Sequence, residues 1–195
     1  MRRRTFDALA ATAGVLIAGL LLVAGGLLTW GHNFVTNEVH TQLAAQKIVF
    51  PPANSPAVAG PQFAPMRAYG GQLMTTGAQA QVYTDHFIAN HLKAIGGGKT
   101  YAQLSAEAIA QPKNATLAAQ VATVFKGETL RGLLLTTYGF SIFGERAAQA
   151  ALVCFLVAAV LALATLAGLF HAMSTSKDEL VLPEVPHEAR TLVNA

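Results

Sequence analysis

Residues 2–30 read RRRTFDALAATAGVLIAGLLLVAGGLLTW, and the fold turns on this stretch. Between Phe6 and Trp30 the one charge is Asp7, and from Ala8 onward there is none. A helix of that length, at about 1.5 Å per residue, reaches beyond the roughly 30 Å hydrocarbon layer of a bilayer. Arg2, Arg3 and Arg4 precede it, and short basic flanks resist translocation. The segment therefore predicts a signal anchor with a cytoplasmic start. A cleaved leader fits less well, because the apolar run is too long and no A-x-A site follows it. No cysteine follows Leu22-Val23-Ala24-Gly25, which argues against a lipid-modified leader.

A second uncharged run, Ala147 to Phe170, returns the chain. The two runs divide the sequence into a basic N-terminus (1–5), a first transmembrane helix (6–30) and an extracytoplasmic region (31–146). A second transmembrane helix (147–170) and a polar cytoplasmic tail (171–195), expected to be flexible, follow. With 53% hydrophobic and 12% charged residues, the composition is poor in charge for a soluble domain. The formal charge of +3 has no Lys/Arg cluster behind it beyond the N-terminal triad, so no nucleic-acid surface is expected. The single cysteine, Cys154, falls in the second run, so no intramolecular disulfide can staple the outer region.

Within the outer region the periodicity is helical. Val35, Val39 and Leu43 continue the first helix by fours, to an expected stop near Pro51-Pro52. Residues 51–65 hold five of the eight prolines and read as an irregular connector. A helix is predicted over Thr76 to Ile95, with Tyr83, Phe87, Ile88, Leu92 and Ile95 as its apolar stripe. Gly96-Gly97-Gly98 ends it, and Thr100 with Gln103 forms a capping box for a short helix that Pro112 closes. A third helix is expected over Thr116 to Lys126. Gly132 to Gly144 is uncharged but too short to span, so it reads as an interfacial or partner-binding helix with bend points at Gly139 and Gly144. The expected fold is an all-α membrane protein: two transmembrane helices flanking an extracytoplasmic bundle of short amphipathic helices.

Two sets of residues are candidates for contacts. Leu130, Leu133, Leu134 and Tyr138 make an apolar patch beside a span, suited to a partner. Ala10, Gly14 and Ala18 in the first span, with Ala158 and Ala162 in the second, have the small-xxx-small spacing that lets helices approach closely.

Sites of chemistry are harder to assemble. Gly97-Gly98-Lys99-Thr100 ends like a phosphate-binding loop, but Lys93 stands where that motif needs its first glycine, and a helix precedes it. His32, His40, His86 and His91 lie in the outer region; His171 and His187 lie in the tail. His86 and His91 are about 140° apart on a helix and cannot easily share a metal. His91 is expected instead as the polar border of the stripe beside Phe87 and Leu92. His32 and His171 fall at opposite ends of the hairpin, so they cannot clamp a haem between them. The outer acids, Glu38, Asp85, Glu107, Glu128 and Glu145, are scattered, and the middles of the spans hold no ionisable group. Asn114-Ala115-Thr116 matches a glycosylation sequon but serves as a helix cap.

Three runs carry a resemblance: Gln42-Leu43-Ala44-Ala45-Gln46-Lys47-Ile48 before Phe50-Pro51-Pro52, His91 through Tyr101, and Gly127 through Leu135. They resemble an uncharacterised family of actinobacterial two-span membrane proteins. The likeness implies the two-span topology and a place in the envelope of a Gram-positive cell, and it transfers no activity. The sequence thus leads to a non-enzymatic membrane protein, an accessory or interaction subunit of a cell-envelope complex, with no cofactor or metal. Its expected partners are the lipid bilayer and other membrane subunits or a second copy of itself. The alternatives are an extracytoplasmic sensing domain and a metal- or haem-binding redox subunit.

Overall fold

The computed structural model describes residues 3–174. Arg2, His187 and the tail from residue 175, with the flexibility expected of it, lie outside the described residues. Every long element is helical. Helix α1 spans Arg3–Ala45, α2 Gly77–Val82, α3 Ala89–Ile95, α4 Tyr101–Ala110 and α5 Ala115–Ser174. Both α1 and α5 are long and apolar enough to cross a bilayer. With 43 and 60 residues they measure about 64 and 90 Å.

The segments expected as separate helices over Thr116–Lys126, Gly132–Gly144 and the second span are one unbroken helix, α5. Between Pro112 and the end of α5 there is no proline, and a glycine inside a helix costs only about 1 kcal/mol. Gly132 and Gly139 therefore interrupt nothing. Asn114 starts the helix: its Oδ1 accepts the Leu117 N–H at 3.0 Å. Ser174 still belongs to α5, so residues 171–174 of the expected tail are helical.

At the other end of the sequence, α1 stops at Ala45, ahead of Pro51-Pro52. Lys47 takes a positive φ of 53°, and the extended Ile48-Val49-Phe50 follows. Val49 forms a single antiparallel bridge with Leu73, flanked by Phe50 N–H to Gln72 O (2.9 Å) and Met74 N–H to Ile48 O (2.8 Å). The proline-rich connector is not irregular throughout. It winds into 3₁₀ turns at Pro56–Val58 and Pro61–Tyr69, and Arg67 Nη1 ties them by donating to Val58 O (2.8 Å) and Gly60 O (3.3 Å).

The described chain forms two compact units. One joins the residues up to Thr29 with those from Ala148 on, so that α1 and α5 run antiparallel. Its buried positions recur by sevens: Ala11 and Ala18 on α1; Ala151, Ala158 and Thr165 on α5. That repeat keeps one seam in register along two packed helices. Gly14 meets the Thr165 side chain, and a Cβ on Gly25 would come within 2.7 Å of the Phe155 ring.

The other unit, Trp30–Ala147, has its core around Phe50, Val58, Met66 and Met74, all essentially sealed from solvent. Phe50 packs between Tyr69 and Tyr83, with centroids at 5.3 and 5.4 Å. Val39 and Leu43 of α1, Ile88 and Leu92, and Leu134 of α5 close the same core. The core of this unit is therefore not made by short helices alone; α1 and α5 form its walls. A smaller cluster of Leu104, Leu117 and Val124 seats α4 against the start of α5.

The run predicted over Thr76–Ile95 is helical throughout but contains a π-helical stretch, Tyr83–Ile88, between α2 and α3. The buried Thr84 hydroxyl there donates to Ala80 O and Gln81 O. The expected capping box of Thr100 with Gln103 forms, and a second one, Thr76 with Gln79, starts α2. Gly97 and Gly98 adopt positive φ (59° and 81°), and Gly98 N–H reaches Lys93 O, so this glycine run is a helix C-terminus.

Candidate interaction surface

Between α1 and α5, within the Trp30–Ala147 unit, lies an apolar trough. One part, about 380 Å³, lies between Phe34, Val35 and Val39 of α1 and Phe140 of α5. The next, about 370 Å³, continues between Leu43 and the leucines 130, 133 and 134. Gln42, Thr137 and Phe140 line both, so the two parts are continuous. The trough exists because Phe34, Leu133 and Phe140 point outward from helices whose other faces are committed to the core.

Of the expected contact patch, Leu130, Leu133 and Leu134 line the trough and Tyr138 does not. Leu134 is only 4% exposed and belongs to the core, while Leu133 is 63% exposed. The difference is one of helical angle, about 100° per residue, which places adjacent leucines on different faces. The Tyr138 backbone lies under Gly77, at the start of α2. Among the small residues expected to pack the spans, Gly14, Ala18 and Ala158 lie on the seam. Ala10 and Ala162 are exposed.

A second cavity, about 260 Å³, carries several polar side chains in its lining. His32, Thr36 and His40 follow one another by fours along α1 and face Ser141 and Glu145 of α5 across the first residues of α2. His32 Nδ1–H donates to Gly144 O at 2.9 Å, since a carbonyl can only accept. His86 and His91 do likewise to Gln62 O (3.0 Å) and Phe87 O (2.7 Å). Three imidazoles of this unit thus satisfy backbone carbonyls. His91 also lies on the Phe87 ring, with centroids 4.3 Å apart. The stripe residue Ile95 is exposed, because α3 ends there.

Charge is sparse. Arg131 bridges Asp85 and Glu128 at 3.5 Å each, and Lys99 pairs with Glu107 at 2.6 Å on the surface. Burial pushes the Tyr83 hydroxyl above its usual range. Among the described residues no three His, Cys, Asp or Glu side chains come together to hold a metal.

Phe34 has no role in the sequence reading, and Phe140 enters it only as part of the uncharged run Gly132 to Gly144. The usable signal was Phe34 standing one turn after Trp30, on whose ring it stacks at 5.7 Å. Polar residues by fours, His32, Thr36 and His40, were the corresponding signal for the second cavity. No protein-family model, no curated protein and no solved structure matches this chain.

Proposed function

We propose that this chain is a non-enzymatic integral membrane protein that serves as an accessory or interaction subunit of a cell-envelope complex. In this reading α1 and α5 cross the bilayer at 6–30 and 147–170, both termini are cytoplasmic, and residues 31–146 lie outside. The observation that carries it is the outward display of aliphatic side chains along the first unit. Leu20 is 71% exposed and Leu163 68%, in a seam built of alanine, glycine and threonine. Two helices that bury their small residues and expose their large ones are suited to hydrocarbon, where close backbone approach drives association. In water the same surface would be an aggregation hazard. Arg2, Arg3 and Arg4 support the orientation through the positive-inside rule.

The outer unit keeps an apolar strip, Phe34, Leu133 and Phe140, that its own core does not use. That strip supports an interaction role in preference to a purely anchoring one. The test is the mass and composition of the particle extracted from native membranes in mild detergent. Subunits co-purifying at fixed stoichiometry are expected; a lone monomer under gentle extraction would count against the subunit reading. A second reading, an extracytoplasmic ligand-binding or sensing protein, is favoured by the cavity of His32, His40, Ser141 and Glu145.

A further inference from the structure

We propose that a notch between the start of α1 and the end of α5 holds one aminophospholipid of the leaflet nearer the N-terminus, with its ammonium on Asp7 and an ester carbonyl on Thr165. The inference rests on the membrane placement above and not on the subunit reading.

The notch, about 240 Å³, lies within the unit that joins the two ends of the described chain. Ala10, Ala11 and Gly14 wall it on α1, and Ala164 and Gly168 on α5. Small side chains on both helices keep the space open, and the two polar side chains lining it are Asp7 and Thr165. Each has a bond left to make. Asp7 Oδ2 is buried and has no hydrogen-bond partner among the described residues. Thr165 is 9% exposed, and its hydroxyl bonds to no described residue. Elsewhere on the long helices Thr12, Thr29, Thr136 and Thr137 each donate to the carbonyl four residues back. The Thr165 oxygen stands instead over Gly14, in the wall of the notch. Buried polar atoms in folded proteins are nearly always bonded, so this pair points to a partner from outside the chain. An ionisable side chain within a spanning helix points the same way.

The order of the two groups selects the partner. Gly14, on which Thr165 rests, is two turns along α1 from Asp7, a separation of about 10 Å. On the membrane reading the carboxylate lies at the edge of the bilayer and the hydroxyl deeper. A carboxylate accepts hydrogen bonds, and a free hydroxyl can donate one. The occupant therefore presents a cationic donor at the surface and an acceptor below it. An ethanolamine phospholipid does both, because its ester carbonyls lie one glycerophosphate below an ammonium with three N–H groups. The ammonium–carboxylate bond is charge-assisted and so of the stronger kind. A choline headgroup carries the charge but no N–H. A calcium or magnesium ion takes about six oxygen ligands or more, beyond what two side chains supply. Arg2, Arg3 and Arg4 precede Asp7 and bring positive charge to the level of the lipid phosphates.

The full chain is reconstituted in phosphatidylcholine vesicles holding equal minor fractions of diester and diether phosphatidylethanolamine. Lipids retained on gentle extraction are then counted by native mass spectrometry. Diester phosphatidylethanolamine is expected to be enriched over phosphatidylcholine by about tenfold, a difference of roughly 1.4 kcal/mol. The diether form, which lacks the carbonyl, should be retained about threefold less, as for the loss of one neutral hydrogen bond. Asp7→Asn should abolish the preference over phosphatidylcholine, and Thr165→Val should make diester and diether forms equal. Equal retention of ethanolamine and choline lipids by the wild type overturns the proposal, as does a preference that survives Asp7→Asn. Equal retention of diester and diether forms by the wild type overturns it as well, with no variant involved. A protein that fails to float with the vesicles would be the separate failure of the membrane placement.

Discussion

Leu134 and Leu133 are neighbours on α5, and cutting each to alanine distinguishes a core position from a displayed one. Leu134 is 4% exposed and packed in the cluster that includes Val39, Leu43 and Leu92. Leu134→Ala removes its buried methyl groups and leaves a cavity that the two long helices cannot readily close. Substitutions of this kind cost about 2–5 kcal/mol, and about 3 is a central value. Leu133 is 63% exposed, so the same truncation there should stay within about 0.5 kcal/mol. Helix propensity changes equally in both and cancels. For a unit of roughly a hundred residues, about 3 kcal/mol lowers the melting temperature by on the order of 10 °C. The assay is amide hydrogen exchange across residues 39–50 and 85–95 of the full chain in mild detergent, followed through a thermal ramp. Leu134→Ala should open both segments together, whereas Leu133→Ala should leave them near wild type. Equal losses in the two variants would refute the assignment of faces on α5.

Three further outcomes follow from other parts of the fold. Gly14→Leu drives a side chain into Thr165, whereas Gly19 has open space around it; spin labels at the exposed Leu9 and Leu166 should move apart by several ångströms (roughly a side-chain width) in the first variant, and an unchanged distance would contradict the seam. Gln79→Leu deprives the Thr75 and Thr76 N–H groups of the carboxamide oxygen they share, at 2.7 and 3.1 Å. Leaving such donors unpaired costs about 1–3 kcal/mol, so exchange at these two amides should accelerate, and protection equal to wild type would count against the network. Tyr83 has its pKa raised by burial, so its contribution is fully present below the ordinary tyrosine value near 10. It is lost as pH rises toward the folded value, because the unfolded chain ionises first. Melting temperature followed from pH 9 to 11 should fall less steeply in Tyr83→Phe, and identical slopes would exclude the effect.

Much of the helical architecture is legible in the sequence because it depends on local signals. The capping box at Thr100 and the glycine stop after Ile95 need only neighbours a few residues away, and each occurs where its spacing indicates. What depends on distant partners was not legible. The packing role of two glycines of α5 is of this kind, since Gly127 leaves room for Leu92 and Gly144 for Val35. The π-helical stretch at Tyr83–Ile88 likewise carries no local signature, although it sets which of Tyr83, Thr84 and Ile88 face inward. The trough was half visible. Leu130, Leu133 and Leu134 are conspicuous in the sequence, but their division between floor and wall depends on where α1 lies. Phe34 and Phe140, more than a hundred residues apart in the chain, acquire a common role only in three dimensions.

The central claim is that two helices anchor this chain in a membrane and hold residues 31–146 outside it. It is tested most directly by thiol accessibility in intact cells. Cys154 is the one cysteine, so Cys154→Ser gives a clean background for Ile109→Cys, at a position 79% exposed on α4. The account predicts a protein that stays with the membrane through alkaline extraction and is labelled at position 109 by a membrane-impermeant maleimide before lysis. Release into the soluble fraction, or labelling only after the cells are broken, would contradict it.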